Sequence, residues 1–144
     1  MIESLATRKT IFKALFEQIT LNGSIVAVYD AYAIPDGVSY PYILIGSQNA
    51  SQRSTKGRRP LDSTVQIDAV TGFIGPNGRE ESEILMQLVD EIINPDDRTN
   101  LDSSEFGYII GDIRAEGFRD ITSKNEIYYV YRKIVLYSLI ITKI

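Results

Sequence analysis

Apolar residues recur along this chain in two rhythms. Near the N-terminus, Ile11, Phe12, Leu15, Phe16 and Ile19 follow at spacings of one, three, one and three. That rhythm draws one stripe on a helix, predicted over about Thr7 to Leu21. Lys9, Lys13 and Glu17 fall four apart on the opposite side. Ser4 or Thr7 suits the start as a cap, and Asn22-Gly23 suits the stop. A second stripe of Ile84, Leu85, Leu88, Val89, Ile92 and Ile93 predicts a helix over about Gly78 to Ile93. Asn77 and Glu80 form a capping-box pair with Asn in the hydroxyl position. Glu80, Glu81 and Glu83 suit the positive end of that helix, and Asn94-Pro95 closes it.

The other rhythm is that of strands. Ile25 to Tyr32 is rich in β-branched and aromatic residues and reads as extended. Pro35-Asp36-Gly37 is a turn. Pro41 to Gly46 is a short, nearly continuous apolar run with Pro at its first position, the mark of an interior strand. From Thr64 to Thr71, Val65, Ile67 and Ala69 alternate with Gln66 and Asp68, which predicts a half-buried strand. Two more strands are expected, over about Phe106 to Asp120, irregular near Gly111 or Gly117, and from Glu126 onward. The order is one helix, three strands, one helix, two strands. It predicts an α+β fold, a mainly antiparallel sheet with two helices packed on one face.

The chain has 144 residues, 44% of them hydrophobic, which suits a single domain over 1–144. Ser47 to Pro60 departs from both rhythms. It holds one apolar residue, Ala50, and is expected to be a long polar loop or projecting arm at about 47–60. There is no run of about 18 apolar residues, so no membrane span or membrane partner is expected. The start, Met1-Ile2-Glu3-Ser4, lacks the basic and then apolar run of a signal peptide.

Composition removes whole classes of chemistry. There is no His and no Cys. Nucleophile systems that need an imidazole base are excluded, as are zinc sites built on Cys or His. Carboxylate catalysis needs two acids at a defined separation. Asp30, Asp62 and Asp68 are the acids in or near strands that could supply such a pair. Gly72, Gly75 and Gly78 precede a helix but lack the phosphate-loop pattern, and three glutamates follow them. No catalytic, metal or cofactor site is expected, and the chain is not expected to be an enzyme.

Charge is unevenly placed. The net charge is −4, yet Arg53, Lys56, Arg58 and Arg59 put four cations in seven residues with no acid among them. From Glu80 to Glu105 there are nine acids and one base, Arg98. A solvated loop and a solvated helix end are the plain readings of both segments. The functional reading pairs them across a head-to-tail contact between copies, basic arm against Glu80, Glu81, Asp96 and Asp97. A rival reading has the arm follow a phosphate backbone, as a DNA-contacting adaptor. Tyrosine is favoured at interfaces. Tyr129, Tyr131 and Tyr137 in the final strand are expected on an inter-subunit sheet surface.

Several segments also fall in a characteristic order. A helix precedes the extended Val28-Tyr29-Asp30, then the Pro35-Asp36-Gly37 turn and the run Pro41-Tyr42-Ile43-Leu44-Ile45-Gly46. Val65-Gln66-Ile67-Asp68 comes before the helix of Leu85, Leu88 and Val89, and Tyr131 to Tyr137 lies in the last strand. In this order and spacing the chain resembles the tail-completion or tail-terminator-like proteins of long-tailed bacteriophages. The resemblance implies an α+β virion subunit, assembled in the host cytoplasm, that forms a ring, commonly a hexamer. It implies as partners the tail tube protein and the head connector or neck proteins. DNA would pass through the ring's lumen without sequence recognition. The Ser47–Pro60 arm and the acidic Asp96–Glu105 segment depart from the family's layout.

Overall fold

The structure, a computed structural model, describes residues 2–16, 18–21, 23–30, 34–52, 60–73, 79–93, 108–125 and 127–143. Helix α1 spans Ile2–Leu15 and helix α2 spans Arg79–Ile93. The strands are β1 (Thr20–Leu21), β2 (Ser24–Ile25), β3 (Ala27–Asp30), β4 (Tyr42–Gln52), β5 (Pro60–Phe73), β6 (Tyr108–Lys124) and β7 (Tyr129–Lys143). Strands β3 to β7 form one five-stranded sheet in the order β3-β4-β5-β7-β6. Every pairing in it is antiparallel except β3 with β4, which is parallel. The α+β class holds.

Both helices lie on one face of the sheet. Val28, Ile43, Ile45, Val65, Ile67, Ala69, Val135, Tyr137, Leu139 and Ile141 alternate along their strands toward that face. They meet Ile11 and Leu15 of α1 and Leu85, Met86, Val89 and Ile93 of α2. The α2 stripe is where its periodicity puts it, and the observed start is one residue from the expected one.

Helix α1 starts earlier and ends earlier than its stripe suggests. Ser4 and Thr7 fall inside it rather than at its cap. Ile19 continues the stripe into the core from beyond the helix, and its carbonyl accepts from the Val26 N–H at 2.8 Å. Gly23, expected at a helix stop, instead lies between paired Leu21 and Ser24 with φ of 83°, a conformation that favours glycine. Asn22 lies outside the described residues. The predicted strand Ile25–Tyr32 is accordingly divided, with β2 ending at Ile25 and β3 starting at Ala27.

The loop reading of the polar segment is the main correction. Over its described length the segment is not a loop but the outer half of a long β-hairpin. After an irregularity between Ile45 and Gln48, β4 continues through Ser51↔Asp62 and Gln52↔Leu61. A strand of Gln, Asn and Ser carries no apolar alternation to announce it. Its ladder with β5 supplies the order instead, which is how tertiary pairing overrides local propensity. Residues 53–59 lie outside the described residues.

Strand β5 is half-buried over Asp62, Thr64 and Gln66 but buried on both faces from Ile67 to Thr71. It is the middle strand, paired with β7 from Pro60 to Phe73 and with β4 between Leu61 and Val70. Asp68 is only 4% exposed, and Val70 is buried beside it on the face away from the helices. Strands β6 and β7 pair over nearly their whole length, with register shifts between Ile110 and Asp112 and between Ala115 and Gly117. Those shifts fall at the two places where glycine suggests irregularity. Asn125 closes the hairpin. Its side-chain oxygen accepts from the N–H groups of Ile127 and Tyr128, at 3.0 and 2.6 Å.

Candidate functional site

Arg53, Lys56, Arg58 and Arg59 lie outside the described residues. The ladder still fixes where they attach, because Gln52 and Leu61 are paired at the far end of the β4–β5 hairpin. Asp96 and Asp97 also lie outside the described residues. Glu80 is exposed and Glu81 half-buried in the first turn of α2.

The tyrosine surface needs correction at two of its three positions. Tyr137 is 0% exposed and Tyr131 is 7% exposed. Strand alternation turns Tyr137 toward α2, where its hydroxyl donates to Asp90 Oδ1 at 2.7 Å. Burial first, and the Asp90 partner second, push its phenol well above the ordinary range. A ring so enclosed has no surface to offer a neighbour. Tyr129 is half-buried, and Lys124 Nζ stands 5.1 Å from its ring centre.

The three strand carboxylates do not converge. Asp30 shares a hollow with Lys9, Phe12 and Ile45 on the helix side. Asp62 and Asp68 share a parity on β5 with the other face, six residues apart, or about 20 Å at strand rise. That is too far for any acid–base pair.

Two other arrangements stand out. The first is a groove of about 360 Å³ between α2 and β6, lined by Glu83, Met86, Gln87, Asp90, Phe118 and Lys133. Glu83, Gln87 and Asp90 recur at spacings of four and three, so one stripe of α2 lines it, and Glu80 precedes them on that stripe. Arg79 reaches Glu83 at 3.4 Å and Asp120 at 3.5 Å, and Lys133 reaches Asp120 at 3.3 Å. Glu83, Asp90 and Asp120 outnumber Arg79 and Lys133, which leaves the groove net acidic. Phe118 is its apolar floor, 53% exposed.

The second arrangement is an aromatic cluster on the face away from the helices. Tyr40 stacks on Tyr42 with ring centres 5.6 Å apart, and Tyr128 lies 5.5 Å from Tyr40. Tyr29 meets Tyr42 edge-on at 6.2 Å. Gly72 makes room for it: a Cβ there would stand 2.5 Å from Tyr40 Cδ2. Beside the cluster, Arg132 Nη1 is 3.7 Å from Asp68 Oδ2, and Gln66 Nε2 donates to Asp68 Oδ1 at 3.1 Å. Burial raises the Asp68 carboxyl above its ordinary value despite both partners. Sequence reasoning missed this cluster. Its signal was Tyr40 and Tyr42 flanking Pro41, with a glycine inside a strand.

No protein-family model matches the chain, and no curated protein sequence matches it. Among solved structures, the fold is similar to that of a chain from the virion of a native gene transfer agent particle. That likeness has a TM-score of 0.70 at 14% identity and covers 97% of this chain and 96% of that one. At that identity, what the two chains share is the fold, over almost their whole length.

Proposed function

We propose that this chain is a structural virion protein. It acts as a ring-forming tail-completion or terminator subunit, or a head–tail joining subunit of the neck. The observation that carries the reading is the end-to-end fold likeness to a chain of a gene transfer agent virion. The order of segments that resembles phage tail-completion proteins points the same way.

In this reading the protein works by assembly, without turnover. A ring, commonly of six copies, caps the growing tail tube, stops its polymerisation and offers a surface to the head connector or neck proteins. DNA passes through the lumen without sequence recognition. Arg53, Lys56, Arg58 and Arg59 make contacts to a partner or the lumen. Glu80 and Glu81, with Asp96 and Asp97, give the acidic side of the subunit contact, and Tyr129 adds to the sheet surface.

Electron microscopy tests this directly. The purified protein is imaged alone and after mixing with tail tubes. Rings, or caps at tube ends, are the expected result. Only unattached monomers in both samples would overturn the reading.

A further inference from the structure

The groove between α2 and β6 has a chemistry suited to a particular guest. Its floor is an exposed aromatic ring, Phe118, and its lining carries Glu83 and Asp90, with Glu80 one turn earlier on the same stripe of α2. A guanidinium satisfies both features at once. It stacks on an aromatic face and bonds to carboxylates through its planar fork. Lys133 already uses the ring in this way, with Nζ 5.9 Å from its centre.

The chain itself carries such a guest. The seven residues 53–59, at the outer end of the β4–β5 hairpin, hold Arg53, Lys56, Arg58 and Arg59 and no acid. They fall short of Phe118 in their own copy. Pro60 pairs with Thr142, whereas Val135, the cross-strand partner of Phe118, pairs with Ile67. Seven strand positions separate Val135 from Thr142, or about 23 Å. A seven-residue segment anchored at both ends extends its backbone by only about 13 Å. The groove also lies to the side, across β7 toward β6.

We infer that the α2–β6 groove receives the basic segment 53–59 of a second copy, with its arginines over Phe118 and against Glu83 and the neighbouring Glu80. The contact joins one end of the subunit to a different surface of the next. Such head-to-tail joints close into rings or grow into filaments. The inference rests on the ring reading above and specifies the joint that reading leaves open.

The absence of native Cys makes cross-linking a clean test. One variant carries Gln87→Cys in the groove and another carries Lys56→Cys in the basic segment. Each is treated with a short bismaleimide at low salt, alone and as an equal mixture. The expected result is a two-chain product in the mixture that neither variant gives alone. It should fall at least about tenfold in 1 M salt, where screening acts over about 3 Å. Adding Glu80→Arg and Glu83→Arg to the groove variant should abolish the product. Adding Arg58→Glu and Arg59→Glu to the basic-segment variant should then restore it. No mixture-specific product at low salt, or one indifferent to the charge reversals, would overturn the inference. Circular dichroism of each variant guards against misfolding. Rings in micrographs without this product would sink the groove joint alone. The product without rings or caps on tail tubes would sink the tail-completion reading alone.

Discussion

The Tyr137 hydroxyl donates to Asp90 Oδ1 at 2.7 Å and so ties the middle of β7 to α2 across the core. Tyr137 is among the largest fully buried side chains. Its acceptor is charged, and such bonds contribute more than neutral ones. Tyr137→Phe is expected to lower unfolding free energy by about 2 kcal/mol. Urea unfolding followed by circular dichroism measures it. An unchanged midpoint would show that the bond contributes nothing net.

The same group sets a limit at alkaline pH. Its folded-state value lies above the unfolded value of 10.0, through burial and then through Asp90. The fold therefore holds a proton that the unfolded chain releases. That stability is whole below pH 10 and is lost progressively as pH climbs beyond it. Unfolding midpoints of the native chain should drop more steeply above this point than those of Tyr137→Phe. Parallel curves for the two would contradict the assignment.

Asp68 gives the opposite experiment. Burial raises its carboxyl above 3.8, so the charged form at neutral pH is one the fold disfavours. Its contribution grows as pH falls through the raised value and is complete below 3.8. Asp68→Asn removes the titration and keeps an oxygen for Gln66. The variant should therefore show a flatter stability profile than the native chain as pH rises from 3.8 toward neutrality. A difference of opposite sign would mean that Arg132 outweighs burial.

Gly72 is a packing prediction. The nearest atoms to an added Cβ, at 2.5 to 2.8 Å, are ring carbons of Tyr40. The ring must shift as a unit and take its stacking on Tyr42 and its tilted contact with Tyr128 with it. Gly72→Ala should cost about 1–3 kcal/mol, as overpacking does. It should also alter near-UV dichroism, which here comes from Tyr and Phe because the chain has no Trp. Combining it with Tyr40→Ala should cost less than the sum of the two. Strict additivity would mean that the ring and Gly72 do not touch.

These positions show what a sequence can and cannot disclose. The α2 stripe was legible because helical periodicity and burial coincide in Leu85, Val89 and Ile93. The alternation of Val65, Ile67 and Ala69 was legible for the same reason. Burial of Asp68 and Val70 on the second face was not, since it depends on Tyr42, Arg132 and neighbouring strands far away in the chain. The polar half of β4 was hidden because its order comes from its partner. The parallel match of β3 to β4 leaves no local mark at all. Among the candidate site residues, Glu80 and Glu81 could be placed from helix position alone. Tyr137 was misjudged because residue type speaks of interfaces only on average, while strand parity decides which face a ring occupies.

The sheet order has a consequence for how the molecule is made. Strand β7 lies between β5 and β6, so residues 129–143 form an interior strand. Pro60 finds its partner only at Thr142. A nascent chain can close the β4–β5 hairpin early, yet its middle strand keeps a bare edge until β7 has left the ribosome. Contacts this distant in sequence form slowly. A bare edge is an invitation to pair with another chain. The interval between making β5 and delivering β7 is thus the vulnerable moment of its biosynthesis, and losing residues 129–143 would split the sheet rather than trim it.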